Sequence, residues 1–401
     1  MASHLQLEAY KNKTSAEAGR PAPAVRPVAS LKGNVLMKIT AAVARAKSSP
    51  LSMEMLELEA PRNGEILVRM VATGICHTDM AMRDQTYPVP QPIVLGHEGS
   101  GIVETIGRGV SKVAPGDHVV ISFNSCGRCP SCNEHRPNYC HDFFQHNFAG
   151  SRADGSTALK NGGEVIHSNF FGQSSFATHA VCHERNVIKV RKDAPLELLG
   201  PLACGIQTGA GAVINSFALR PGASIAVFGA GSVGLSAVMA ARIAGATAIV
   251  AVDRNENRLE LARALGATHL IDAKLQSPAE AIMEISGIGV TFALDTTANP
   301  RVIRTAIESL APRGVCGLIG ASALDTEITL NAMHLMTAGR TLRGIVEGDS
   351  TPDVFIPQLI DLFMQKRFPF DKLVTFYPFE RINDAIHDAE HGKAVKPIVR
   401  M

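Results

Sequence analysis

Cys76, His77, Thr78 and Asp79, followed by His97 and Glu98, bring a thiol, two imidazoles, a hydroxyl and two carboxylates into one short stretch. Thiolate sulfur and neutral imidazole nitrogen are ligands that Zn2+ favours, and a catalytic zinc uses three protein ligands and keeps a fourth position open. Cys76 and His97 supply two. Cys204, in Gly200-Pro201-Leu202-Ala203-Cys204-Gly205, is the best remaining candidate for the third. Taken singly, a cysteine is more often a small buried hydrophobe than a ligand; the combination points to a metal. At the open position the ion lowers the pKa of a bound hydroxyl, so an alkoxide forms near neutral pH. Thr78, two residues after Cys76, is placed to pass that proton on. Asp79 is expected to hydrogen-bond the far nitrogen of His97 and fix its tautomer. Two roles fit Glu98 equally: a transient approach to the metal, or local charge balance. His179 and His183 fall on a strand-like segment and read as non-ligands.

A second cysteine set has a different character. Cys126-x2-Cys129-x2-Cys132-x7-Cys140 offers four thiolates to one ion and no open position, the arrangement of a structural zinc. Closing a short lobe around a metal substitutes for the core it is too small to build. Four unrelated buried thiols rarely cluster at such spacing. A redox pair is disfavoured because no thioredoxin-like βαβ pattern surrounds it. Cys316 reads as core.

The third constellation is Gly229-Ala230-Gly231-Ser232-Val233-Gly234. Alone it is weak. Here it follows the apolar run Ser224–Phe228, opens an apolar helix, and is followed by a second strand ending in Asp253, which makes it a dinucleotide-binding pattern. Gly229 and Gly231 permit a tight turn and close approach of backbone to pyrophosphate; Gly234 lets helix pack on strand. The phosphates then meet free N–H groups at a helix N-terminus. Asp253 favours NAD over NADP, since a carboxylate binds ribose hydroxyls and repels a 2′-phosphate. Arg254 beside it is the opposing signal.

These constellations need elements to hold them. The 401 residues allow two domains and a large core. With 46% apolar and 19% charged residues and a net charge of +2, composition is that of an ordinary globular protein. No basic footprint for nucleic acid stands out, nor any apolar run long enough to span a bilayer. Eight cysteines in so long a chain fit a cytoplasmic metalloenzyme better than a secreted disulfide scaffold. Residues 1–36 lack periodicity and a secretory apolar centre, and read as a disordered extension or a cloning remnant, with Met37 resembling a natural start. From there to about residue 205 short strands dominate, at 65–71, 101–107 and around 113–120. From 206 to 345 strand and helix alternate, predicting a doubly wound parallel sheet. Residues 346–401 lose the alternation, with amphipathic helices over 354–364 and 381–390. They are expected to pack back on the first part, leaving a cleft for substrate.

Together the two cysteine sets and the glycine loop resemble the zinc-dependent medium-chain alcohol dehydrogenases, from Met37 to the end. The resemblance implies a GroES-like catalytic domain (37–205 and 346–401) around a Rossmann domain (206–345). It implies hydride transfer between NAD and an alcohol or aldehyde at one catalytic zinc, with a second, structural zinc. By matching motif, Cys76, His97 and Cys204 resemble the ligands, Thr78 the relay hydroxyl, and His77 and Lys396 basic residues that meet the pyrophosphate. Arg258 matches one on the adenosine ribose. Where several members carry a relay histidine, this chain has Ala81. Within the family, Phe170–Ala177, Gly205–Gly211 and Val346–Ser350 look like the aryl (benzyl) alcohol dehydrogenases, with allylic terpenoid alcohols such as geraniol as the alternative. Phe123 fits an apolar substrate pocket and ordinary core equally well. A thiol-adduct formaldehyde dehydrogenase and a non-catalytic relative are rival readings. Family members are usually homodimers or homotetramers.

Overall fold

The computed structural model describes residues 36–401, so the expectation for the N-terminal extension lies outside the described residues. Three sheets organise the chain. A five-stranded antiparallel sheet is ordered 93–94, Leu36–Ala44, Ser52–Glu59, 159–161, 164–166. The second sheet is built on Glu65–Gly74, whose side chains are buried nearly throughout. That strand pairs antiparallel with Glu98–Ile106, with His179–His183 and with Lys396–Arg400. The C-terminal strand therefore returns to the first half of the chain, the route the loss of alternation after residue 345 predicts.

The third sheet is parallel throughout, in the order His269–Asp272, Ala248–Asp253, Ser224–Phe228, Val290–Asp295, Leu310–Leu318, Thr341–Gly344. In sequence numbering this is 3-2-1-4-5-6, the doubly wound order that leaves a ligand crevice at the carboxyl ends where the winding reverses. Strands 224–228 and 290–295 flank that point. The helices Ser232–Ile243, Glu256–Leu265, Pro278–Ser286 and Pro300–Glu308 connect the strands. Asn255 and Asn299 cap two of them, their side-chain oxygens accepting the Arg258 and Arg301 backbone N–H groups, and Pro278 and Pro300 sit where a missing N–H costs nothing.

Continuous cores fix the two parts. One runs under the antiparallel sheets through Ile39, Leu56, Phe170 and Phe176. Another joins Ile206, Leu235, Ile225 and Phe355 across the helix Gly205–Gly211. That helix carries no exposed residue and has three glycines. A Cβ at Gly209 would lie 1.9 Å from the Val233 carbonyl oxygen, so glycine there allows backbone-to-backbone contact with helix Ser232–Ile243. Among the described residues no single helix is long and apolar enough to cross a membrane.

Candidate metal and dinucleotide sites

Cys76 caps the helix His77–Arg83, and its backbone N–H donates to Asp79 Oδ2 at 3.0 Å. The other oxygen of Asp79 accepts from His97 Nδ1 at 2.8 Å and from Gly96 N at 3.1 Å. One buried carboxylate thus ties the helix start to the imidazole and turns Nε2 toward the thiols. Gln173, to which the sequence reading assigns no role of its own, holds the same strand: its side-chain amide donates to the His97 carbonyl, and its oxygen accepts from Gly99 N.

The ligand atoms of Cys76, His97, Glu98 and Cys204 all lie within 4.8 Å of one another. Cys76 Sγ and Cys204 Sγ are 4.0 Å apart, and His97 Nε2 is 3.3 Å from Cys204 Sγ. A tetrahedral zinc with normal bond lengths requires about 3.8 Å between sulfurs and about 3.6 Å from sulfur to nitrogen, so the three residues fit such an ion. A hydrogen bond from Cys204, opposed by burial, holds the Cys76 thiol well below its ordinary pKa; the same bond, reinforced by burial, pushes that of Cys204 up. Thr78 Oγ1 lies 3.7 Å from Cys76 Sγ, at the edge of the set.

Glu98 faces the same cluster, yet both its oxygens contact Lys396 Nζ at 2.9 Å. The third ammonium contact goes to the Ile75 carbonyl at 3.1 Å. Lys396 is 1% exposed. Its N–H groups are thus met inside the protein by Glu98 and the Ile75 carbonyl, because a buried ammonium needs a buried counter-charge. His77, by contrast, is exposed. It lines a cavity of about 270 Å3 shared with Thr78, Ala81, Tyr87 and Glu390.

Cys126, Cys129, Cys132 and Cys140 converge in the same way, with ligand atoms within 4.8 Å. Backbone N–H groups point at the sulfurs: those of Arg128 and Cys129 at Cys126, Cys126 at Cys140, and His141 at Cys129, at 3.2–3.5 Å. Such donors stabilise thiolates, which suits a tetrathiolate ion. The lobe is also bonded elsewhere. Asn138 donates to the Val346 carbonyl and Tyr139 to Asp349.

At the glycine loop, Gly229 adopts φ +96°, and a Cβ there would strike Thr296 Oγ1. A Cβ at Gly234 would lie 1.8 Å from the Gly229 carbonyl oxygen, while one at Gly231 meets nothing within 4 Å. The loop is closed where helix meets strand and open at its tip, as a diphosphate requires. Asp253 accepts from Ala230 N at 2.6 Å, and from Arg254 N and Asn255 N at 2.7 and 2.9 Å. Arg258 stands nearby with a buried Nε that has no partner. An orphaned guanidinium donor beside an open loop fits a polar ligand.

Aromatic rings wall the metal set. The His97 ring lies 4.6 Å from Phe171 and 5.7 Å from Phe170, and Phe143 and Phe148 meet Phe171 edge-on. Phe123 is 4% exposed and packs on Phe143 in the core.

A model of the alcohol dehydrogenase GroES-like domain matches residues 62–192, and one of the zinc-binding dehydrogenase family matches residues 232–365. Geraniol dehydrogenase of Castellaniella defragrans is 47% identical over 361 residues, covering 90% of this chain and 96% of that protein. The solved benzyl alcohol dehydrogenase of Acinetobacter calcoaceticus is 48% identical, with a TM-score of 0.89 over 91% of this chain and 100% of its own. An alcohol dehydrogenase zinc-binding domain protein from Burkholderia ambifaria is 56% identical, with a TM-score of 0.90 over 92% and 100%. The chain belongs to the zinc-dependent medium-chain alcohol dehydrogenase family. It is an alcohol dehydrogenase with a GroES-like and a Rossmann part, acting on small-molecule alcohols with zinc and a nicotinamide dinucleotide.

Proposed function

We propose that the protein is an NAD-dependent dehydrogenase of aryl or allylic primary alcohols, of the benzyl alcohol type. Cys76, His97 and Cys204 would hold the catalytic zinc, and Cys126, Cys129, Cys132 and Cys140 the structural one. When bound, the zinc supplies Lewis acidity toward the alcohol oxygen and NAD accepts the hydride. The rest falls to this chain's own groups. Asp79 orients His97 through Nδ1. Thr78 takes up the hydroxyl proton. With Ala81 in place of a relay histidine, the proton leaves through water in the cavity that Thr78 and Ala81 share. Asp253 and Arg258 meet the adenosine ribose, and His77 the pyrophosphate. The GroES-like part spans 37–205 and 346–401, and the Rossmann part 206–345.

What supports the substrate class is the 48% identity to a solved benzyl alcohol dehydrogenase, together with the phenylalanines packed about His97, which suit a flat apolar group on the carbinol. Burying such a group is worth about 1.5–3 kcal/mol, so kcat/KM for ethanol falls roughly 10- to 100-fold below that for benzyl alcohol. The test is NADH formation from benzyl alcohol, cinnamyl alcohol, geraniol and ethanol, with NADP as control. Equal rates with ethanol, or preference for NADP, overturn the proposal. Geraniol ahead of benzyl alcohol selects the terpenoid reading, which the 47% identity to a geraniol dehydrogenase supports. The exposed edge strand Thr341–Gly344 supports a homo-oligomer, dimer or tetramer, since an unpaired edge invites a second chain; light scattering counts the copies. Fractionation of the native cell tests a cytoplasmic location.

A further inference from the structure

Glu347 is a further acidic group beside the metal set, after Asp79 and Glu98, and nothing above uses it. It begins a run of three left-handed residues, Glu347, Gly348 and Asp349, with φ values of 49°, 66° and 50°. Non-glycine residues hold that conformation only where surroundings enforce it. Here they do. Asp349 is gripped by Tyr139, Ser216 and Arg343. The Gly348 carbonyl accepts from Asn215, and its backbone sits against Gly211, where a Cβ would come within 2.3 Å of that oxygen. The result aims the Glu347 carboxylate at the helix that starts from Cys204: Oε2 accepts from Thr208 Oγ1 at 3.2 Å and from Gln207 Nε2 at 3.3 Å. Both donors are neutral. Glu98, by comparison, has Lys396 as its cation. Removal from water pushes the Glu347 carboxyl up to about 7.

The position matters because of what must pass it. The glycine loop opens helix Ser232–Ile243, which packs against Gly205–Gly211. Hydride transfer needs reacting atoms about 3–3.5 Å apart. A dinucleotide held at the loop therefore reaches the open side of Cys76, His97 and Cys204 by laying its nicotinamide beside Gly205–Thr208, next to this carboxylate.

We infer that Glu347 makes the site discriminate between oxidised and reduced cofactor, by presenting a negative charge to the nicotinamide ring; this rests on the dinucleotide reading. In turnover the alcohol carbon gives a hydride to the ring, and the hydroxyl proton leaves by way of Thr78, which accepts it as it releases its own to water. The ring goes from cation to neutral while the alcohol becomes an aldehyde. A fixed anion favours the ring before transfer and is indifferent to it afterwards, so it tightens NAD+ and leaves NADH alone.

The test is binding, not turnover. Full-length wild type, Glu347→Gln and Glu347→Asn are titrated in mildly alkaline buffer with NAD+ by calorimetry and with NADH by its fluorescence. Asn accepts the left-handed conformation well, so a foldable neutral variant is available whichever way Gln behaves. Both variants are expected to bind NAD+ on the order of tenfold more weakly and NADH within about twofold of wild type, while Glu347→Asp keeps the preference. Equal weakening of both nucleotides, or no change in either, overturns the inference alone. Wild type that binds neither nucleotide overturns the cofactor reading and the inference with it.

Discussion

Lys396→Met is a sharp perturbation because the lysine meets three buried acceptors and no solvent. Its Nζ sits 2.9 Å from both oxygens of Glu98, with side-chain exposures of 2% and 0%. Burial works against the lysine's charge, and Glu98 outweighs it, holding its pKa above the ordinary value. With charge centres about 3.5 Å apart and an effective dielectric of about 20, the attraction is roughly 5 kcal/mol. Several kcal/mol of desolvation oppose it, so the pair's net worth is small. Removing one partner is another matter, since it leaves Glu98 charged and alone. The expected cost is about 3–5 kcal/mol. In Glu98→Gln/Lys396→Met nothing charged is stranded, and the cost should fall to about 1–2 kcal/mol. Urea unfolding of both single variants, the double variant and wild type, all zinc-loaded, measures this. A double variant as unstable as the sum of the singles refutes the reasoning, as does Lys396→Met within about 0.5 kcal/mol of wild type.

Further perturbations test other parts of the site. Asp253→Ser should raise the NADP-to-NAD ratio of kcat/KM at least tenfold, on the order of one lost charge repulsion. It should also weaken NAD, because Asp253 clamps Ala230, Arg254 and Asn255 N–H groups of the loop itself; an unchanged ratio counts against the ribose role. Gly234→Ala places a methyl 1.8 Å from the Gly229 oxygen, so nucleotide binding by calorimetry should be lost. Ala81→His puts an imidazole into the cavity beside Thr78, and a new ionisation near the histidine range, about 6.5, should enter the pH profile of kcat. An unaltered profile places the proton exit elsewhere. Arg152→Met strips Glu59 and Glu65 of their buried partner and should cost about 3 kcal/mol in urea unfolding.

Much of this was legible in the sequence because the chemistry is local. The strands and helices of the parallel sheet follow from short apolar runs punctuated by glycine. Ser224–Phe228 and Glu256–Leu265 fall where the pattern puts them. Cys76, His97 and Cys204 were readable from ligand type, and the structure brings them together across distant sequence. The pairing of Lys396 with Glu98 was not legible, because a basic residue near a glycine looks the same in sequence whether or not a buried carboxylate lies against it. Gln173 and Glu347 were invisible as site residues for a related reason. Both owe their positions to left-handed turns, at Asn169–Ser174 and Glu347–Asp349, that no propensity predicts for phenylalanine or glutamate. Those two turns lie in the stretches that resemble the aryl alcohol dehydrogenases.

Zinc content measured together with turnover tests the central claim most directly. Wild type, Cys204→Ser and Cys140→Ser are purified without added chelator, and metal per chain and NADH formation from benzyl alcohol are recorded. Two clusters of ligands predict two zinc ions in wild type. Cys204→Ser should keep one and lose turnover while melting near the wild-type temperature. Cys140→Ser should lose the other ion and, with it, much of its stability. A Cys204→Ser protein that retains both ions and full turnover contradicts the account.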